Sequence, residues 1–161
     1  MTRFLLSALI LFWLAALPAR AEDALPPETA QTEAEPRMST WRLHDISRAL
    51  DPEAKSFGLN IELTISDVPI LVITDPIADR MRAMVAIRSV ESLSEKELMR
   101  MLQANFDTAL DARYAIAHGK LWAIFIHPLS PLEKEQYISA LAQTVNLAQT
   151  YGSLFTGCTQ E

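Results

Sequence analysis

Cysteine is almost missing from this chain of 161 residues, which has only Cys158. An intramolecular disulfide is therefore excluded, and the fold rests on its apolar core. Near the C-terminal end Cys158 reads as a small apolar residue or, in an oxidising compartment, a thiol able to pair between two chains; it lacks the rigid, electropositive setting of a catalytic thiol. Glycine is scarce too. Gly58, Gly119, Gly152 and Gly157 build neither a Gly-x-Ser-x-Gly elbow nor a phosphate-cradling loop, so hydrolase and nucleotide-binding readings lack their motifs. The three histidines, His44, His118 and His127, fall on three different predicted elements, and none has a Cys, His or carboxylate at metal-site spacing. Neither a metal nor a cofactor is expected, and no catalytic residue stands out. Basic residues are outnumbered 14 to 20, for a formal charge of −6, and no Lys/Arg stripe carries interleaved aromatics. Such a surface repels phosphate, so nucleic acid is excluded as the expected partner.

The one long apolar run, residues 5–17, follows Arg3 and falls short of the ~20 residues of a spanning helix. Pro18 and Ala19-Arg20-Ala21 complete the pattern of a Sec-type signal peptide, residues 1–21, cleaved after Ala21. The expected location is periplasmic or secreted, with no stable membrane anchor after cleavage. Loss of Arg3 and Arg20 leaves 12 basic against 20 acidic residues, a charge of −8. Residues 22–37 are an acidic Ala/Pro-rich leader with Leu25 as the only large apolar side chain, read as disordered. One domain follows over 38–155, with a flexible tail at 156–161.

Within that domain, Trp41, Leu43, Ile46, Ala49 and Leu50 recur at helical spacing behind Ser39 or Thr40 as N-cap, and Asp51-Pro52 ends the helix. Leu59, Ile61, Leu63 and Ile65 then alternate with polar residues, the period of a strand with one wet face. A turn at Asp67-Val68-Pro69, the run Ile70-Leu71-Val72-Ile73, and the alternation of Met81, Ala83, Val85 and Ile87 predict two more strands in an antiparallel meander. Ser94 and Glu97 have the spacing of a capping box, ahead of a stripe of Leu98, Met101, Leu102 and Phe106. Residues 112–117, the tight turn His118-Gly119 and the apolar residues 121–126 predict a hairpin. Ser130-Pro131-Leu132-Glu133 signals a last helix with Tyr137, Leu141, Val145 and Ala148 on one stripe and Gly152 as C-cap. The order α-β-β-β-α-β-β-α predicts a single α+β domain, an antiparallel sheet packed against helices.

The tract Leu102-Gln103-Ala104-Asn105-Phe106 leading into Ala112-Arg113-Tyr114-Ala115-Ile116, then Gly119-Lys120-Leu121-Trp122-Ala123 and His127-Pro128-Leu129-Ser130 before a long final helix, resembles the YbjN-like proteins. These are related in fold to the CesT/Tir-type chaperones of type III secretion. The resemblance spans residues 41–152 and carries no catalytic signature. It implies a secretion-chaperone-like α+β domain, commonly dimeric, that holds another polypeptide on apolar surface without nucleotide. A signal peptide departs from those cytoplasmic chaperones.

Two polar residues interrupt apolar elements in that region. Asn105 is expected to cap the second helix from the left-handed region, and Arg113 to face solvent or pair with Asp111 or Glu62. Asp107 and Asp111 read as solvated carboxylates; an enzyme would need His127, Asp107 and Arg113 to converge in a pocket. The hairpin strand 121–126 is apolar on both faces, and a sheet covered on one side leaves one of them exposed. The candidate interface is therefore Trp122, Ile124 and Ile126, or the opposite row Leu121, Ala123 and Phe125. Together these point to an exported, non-catalytic, chaperone-like protein-binding domain, partnered by another polypeptide or by itself as a homodimer. A carrier of a small apolar ligand in the cell envelope, with the hairpin and final helix enclosing a cavity, is the alternative.

Overall fold

The computed structural model describes residues 37–151; the signal peptide, the leader up to residue 36, Gly152 and Cys158 lie outside them. Helix α1 (Thr40–Leu50) starts at the N-cap Ser39, whose hydroxyl accepts from the N–H of Arg42. Strands β1 (Lys55–Phe57), β2 (Asn60–Ile65), β3 (Val68–Asp75) and β4 (Arg80–Ser89) follow, then a short 3-10 turn, α2 (Glu95–Asp107), β5 (Arg113–Ala117), β6 (Lys120–Pro128) and α3 (Lys134–Gln149). The expected order holds, with one added three-residue edge strand, β1. The six strands among the described residues form one antiparallel sheet in the order β1-β2-β3-β4-β6-β5.

The turns explain the register. Ser66 and Asp67 both adopt positive φ, at 51° and 63°, the conformation that a two-residue hairpin turn demands. The β2–β3 turn therefore sits one residue earlier than Asp67-Val68-Pro69, and Val68 and Pro69 belong to β3. His118 and Gly119 repeat the device between β5 and β6, at φ 50° and 70°.

Alternation then sorts side chains to two faces. Ile61, Leu63, Ile70, Val72, Met81, Ala83, Val85, Tyr114, Leu121, Ala123 and Phe125 are buried on one of them. Against them α3 lays Tyr137, Ala140, Leu141, Thr144 and Val145, all buried. Ala83 and Ala123, on the central strands, are closed off completely; small side chains there leave room for the helix. The Tyr137 hydroxyl hydrogen-bonds the buried Ser47 hydroxyl of α1 at 2.7 Å, and Thr40 of α1 meets Thr74 of β3, also at 2.7 Å. Helices α1 and α3 thus cover the same face.

Several positions depart from expectation. Trp41 is 77% exposed and Leu50 faces outward too, while Leu43 and Ile46 are buried as expected, together with Ser47. On α2 the buried residues are Met101 and Ala104, whereas Leu102 and Phe106 face outward. Helix α3 begins only at Lys134, with Glu133 as N-cap in a capping box with Gln136. Ser130 is not its cap: the Leu132 N–H bonds the Leu129 carbonyl at 3.2 Å, so the chain turns once more before the helix starts, and the Ser130 N–H and hydroxyl donate to the Asp79 carboxylate at 2.7 and 2.9 Å. Those two bonds hold the Asp79 carboxyl below its usual range. At the far end Thr150 is the C-cap.

Candidate functional site

No described helix covers the other side of the sheet. Register places its side chains in transverse rows. Lys55, Glu62, Leu71, Met84, Ile124 and Arg113 form one row, and Phe57, Asn60, Ile73, Arg82 and Ile126 the next. Ala86, Trp122 and Ala115 lie beyond the first. Leu71, Ile73, Met84, Trp122 and Ile124 are half-buried by their neighbours, and Ile126 is 54% exposed. A shallow groove of about 530 Å³ runs along part of this face, between Lys55, Glu62, Leu71, Met84 and Trp122.

Three of the four candidate interface residues, Trp122, Ile124 and Ile126, therefore share the open face. Phe125 does not: it is 6% exposed and packed in the core beneath the helices, as are Leu121 and Ala123. Strand periodicity forces that division, since neighbours along a strand point to opposite faces. Leu71, Ile73 and Met84 complete the surface and were absent from the candidate set. The run Ile70-Leu71-Val72-Ile73, apolar at every position, carried the same two-faced signal as β6.

A second apolar surface lies at the β5 edge. The capping box of Ser94 and Glu97 starts α2, with the Ser94 N–H donating to Glu97 Oε2 at 2.7 Å. Glu97 also accepts from the Tyr151 hydroxyl at 3.2 Å and lies 3.5 Å from the Arg88 guanidinium, which stacks over the Tyr151 ring. The Ser94 bonds, above all, keep the Glu97 carboxyl below its ordinary range. Held this way, α2 presents Met99, Leu102 and Phe106 to the outside, Phe106 at 89% exposure. Leu110 and Ile116 are exposed beside them. Between α2 and the hairpin lies an apolar recess of about 390 Å³ lined by Leu98, Met101, Leu102, Tyr114, Ile116 and Leu121.

Asn105 is not a helix cap. It sits inside α2, and its side-chain amide pairs with edge strand β5: Oδ1 accepts from the Tyr114 N–H at 2.7 Å and Nδ2 donates to the Tyr114 carbonyl at 3.0 Å. The other side of the sheet carries an analogous guard, where Asp51 Oδ2 accepts from the N–H of Thr64 at 2.7 Å, beyond the end of short β1. Both guards occupy outward backbone groups that would otherwise recruit a foreign strand. Tyr114 is fixed further by its hydroxyl, which donates to the Leu147 carbonyl of α3 at 3.0 Å. Burial, and then the neighbouring Tyr151, pushes its phenol up to about 12.

Arg113 lies on the open face and donates to the carbonyls of Leu110 and Ala112, not to Asp111 or Glu62. Arg113 and His127 line a common polar recess with Asp111 and Glu135, but Asp107 does not reach it. Among the described residues no group of three or more His, Cys, Asp or Glu side chains is placed to hold a metal ion.

No protein-family model matches the sequence, and no curated protein does. Solved structures do. A chain of the ExsC–ExsE complex aligns with a TM-score of 0.56 at 14% identity, covering 74% of this chain and 98% of that one. A chain of the HopA1–SchA chaperone–effector complex aligns at 0.53 and 13% identity, over 71% and 94%. The complex of the Yersinia pestis type III secretion chaperone SycH with a stable fragment of YscM2 aligns at 0.50 and 16% identity, over 68% and 99%. The expected relation in fold to type III secretion chaperones is therefore present, and the domain has the architecture of that α+β fold.

Proposed function

We propose that this protein is an exported, non-catalytic, chaperone-like binding module of the YbjN-like type, which dimerises through α2 and β5 and holds an extended segment of another polypeptide on its open sheet face. The observation that carries the reading is the open face itself. Leu71, Ile73, Met84, Trp122, Ile124 and Ile126 make a contiguous apolar surface, and such surfaces mark interaction sites. Both guarded edges argue in the same direction, because they disfavour strand addition and leave the face for a partner. Two of the solved structures of like fold, a chaperone–effector complex and a chaperone with a fragment of another protein, support a polypeptide as the occupant. For the dimer, the support is the outward stripe of α2. Met99, Leu102 and Phe106 follow one another at helical spacing and can pack against a second copy about a two-fold axis. Export to the periplasm or beyond rests on the apolar run and the Ala19-Arg20-Ala21 cleavage pattern.

A photo-crosslinking residue in place of Ile124 should trap a specific polypeptide in the native host, and the same residue at the exposed position Ala142 of α3 should not. Equal labelling from both positions refutes the reading. The recess between α2 and the hairpin supports a second reading, a carrier of a small apolar ligand. Native mass spectrometry separates the two, since a carrier leaves its host with a small molecule bound.

A further inference from the structure

At the middle of the open face stands one cation. Arg82 sits between Ile73 of β3 and Ile126 of β6, two residues along β4 from Met84. Two strand carboxylates share the face, and neither answers it. Asp75, opposite Arg80, accepts from the N–H groups of Ile77 and Ala78 in its own turn, at 3.1 and 2.9 Å. Glu62 lies two strands away, opposite Lys55 on one side and Leu71 on the other. The Arg82 guanidinium has no hydrogen-bond or ion-pair partner among the described residues.

A partner that covered this surface with apolar groups alone would bury an unpaired guanidinium, at a cost that cancels much of the apolar gain. The occupant must therefore bring an anion to Arg82, and the planar fork of the guanidinium fits a carboxylate through two parallel bonds. We infer that the segment held on the open face carries a carboxylate set among apolar side chains, and that this carboxylate pairs with Arg82. The inference rests on the open face being the partner surface. A second copy laid face to face would set Lys55, Arg80, Arg82 and Arg113 against only Glu62 and Asp75, which repels more than it pairs. A phosphate polymer is disfavoured by the net charge of −6 on the whole chain.

The test uses the purified protein, its Arg82→Gln and Arg82→Glu variants, and three labelled decapeptides. Each alternates Leu or Val with Thr and differs only in a central Asp, Asn or Lys; fluorescence anisotropy gives the Kd. Wild type should bind the Asp peptide about tenfold more tightly than the Asn peptide, the worth of one good charge-assisted pair. Arg82→Gln should erase that preference, and Arg82→Glu should turn it toward Lys, a gain that misfolding cannot mimic. Equal binding of Asp and Asn peptides to wild type overturns the Arg82 pairing while leaving the face as a binding surface. Failure of all three peptides to bind overturns both. Displacement of the Asp peptide by a dT decamer, in wild type but not in Arg82→Glu, also refutes it, since the site would then be a phosphate site.

Discussion

Replacing Asn105 should destabilise the domain and unmask its β5 edge at once. Its amide makes two hydrogen bonds to the backbone of Tyr114, at 2.7 and 3.0 Å, and Tyr114 is itself 6% exposed. Each bond contributes about 1 kcal/mol net, and groups left without a partner in a partly buried place cost somewhat more, so Asn105→Ala should cost about 2–3 kcal/mol. For a domain of this size that lowers Tm by roughly 8–12 °C. Asn105→Asp is the sharper test. It keeps the acceptor for the Tyr114 N–H but sets a carboxylate oxygen against the Tyr114 carbonyl, so near neutral pH it should be at least as unstable as Asn105→Ala. Below about pH 4 the acid protonates and can donate again. The Asp variant should then recover relative to the Ala variant. Thermal unfolding followed by circular dichroism at both pH values measures this, and light scattering should show strand-edge association for Asn105→Ala. A Tm within about 1 °C of wild type for both variants would refute the account of Asn105 as an edge guard.

Tyr137→Phe leaves the Ser47 hydroxyl its bond to the Leu43 carbonyl, so urea unfolding at pH 7 should show a loss of only about 1 kcal/mol. The same residue sets an alkaline limit. Burial pushes the Tyr137 phenol up to about 12 against about 10 unfolded; the unfolded chain releases its proton first, so this stabilisation is complete below pH 10 and is lost as pH rises towards 12. Tyr137→Phe should flatten that part of the stability profile. Leu141→Ala, beneath the sheet at zero exposure, should cost about 2–5 kcal/mol by chemical denaturation.

Much of the fold was legible because its strands obey a strict two-residue period. Met81, Ala83 and Val85 alternate with Arg82, Met84 and Ala86, so one burial pattern fits and a slip of one residue would turn the core outward. Helices were less transparent. Periodicity shows that α2 has an apolar stripe but not which part of it meets the protein, and the short β5 edge covers Met101 and Ala104 while Leu102 and Phe106 stay outside. The Ser130-Pro131 signal failed for a similar reason: a turn closed by the Leu132 N–H on the Leu129 carbonyl, and tied to Asp79 through Ser130, comes before the helix. Asn105 was misread because a polar residue near a helix end satisfies a local rule, whereas its real partner comes from the next strand. Trp122, Ile124 and Ile126 were legible as one face of a strand apolar on both sides, with Phe125 on the other; which of the two faces is covered depends on where α3 lies. Nothing in the sequence singles out Arg82; only the register sets it between Ile73 and Ile126.

The two outward surfaces share no residue, and this makes their independence a prediction. Leu102 and Phe106 stand on α2, while Ile124 and Arg82 stand on central strands. Substitutions at sites that share no contacts add in free energy. Leu102→Glu combined with Phe106→Glu should therefore turn a dimer into a monomer in light scattering, with the Asp decapeptide bound at the same Kd per chain. Ile124→Glu should do the reverse, abolishing peptide binding and leaving the dimer intact. If instead the α2 substitutions abolished peptide binding as well, the partner would have to lie across both chains, and the open face of one protomer would be only half of the site.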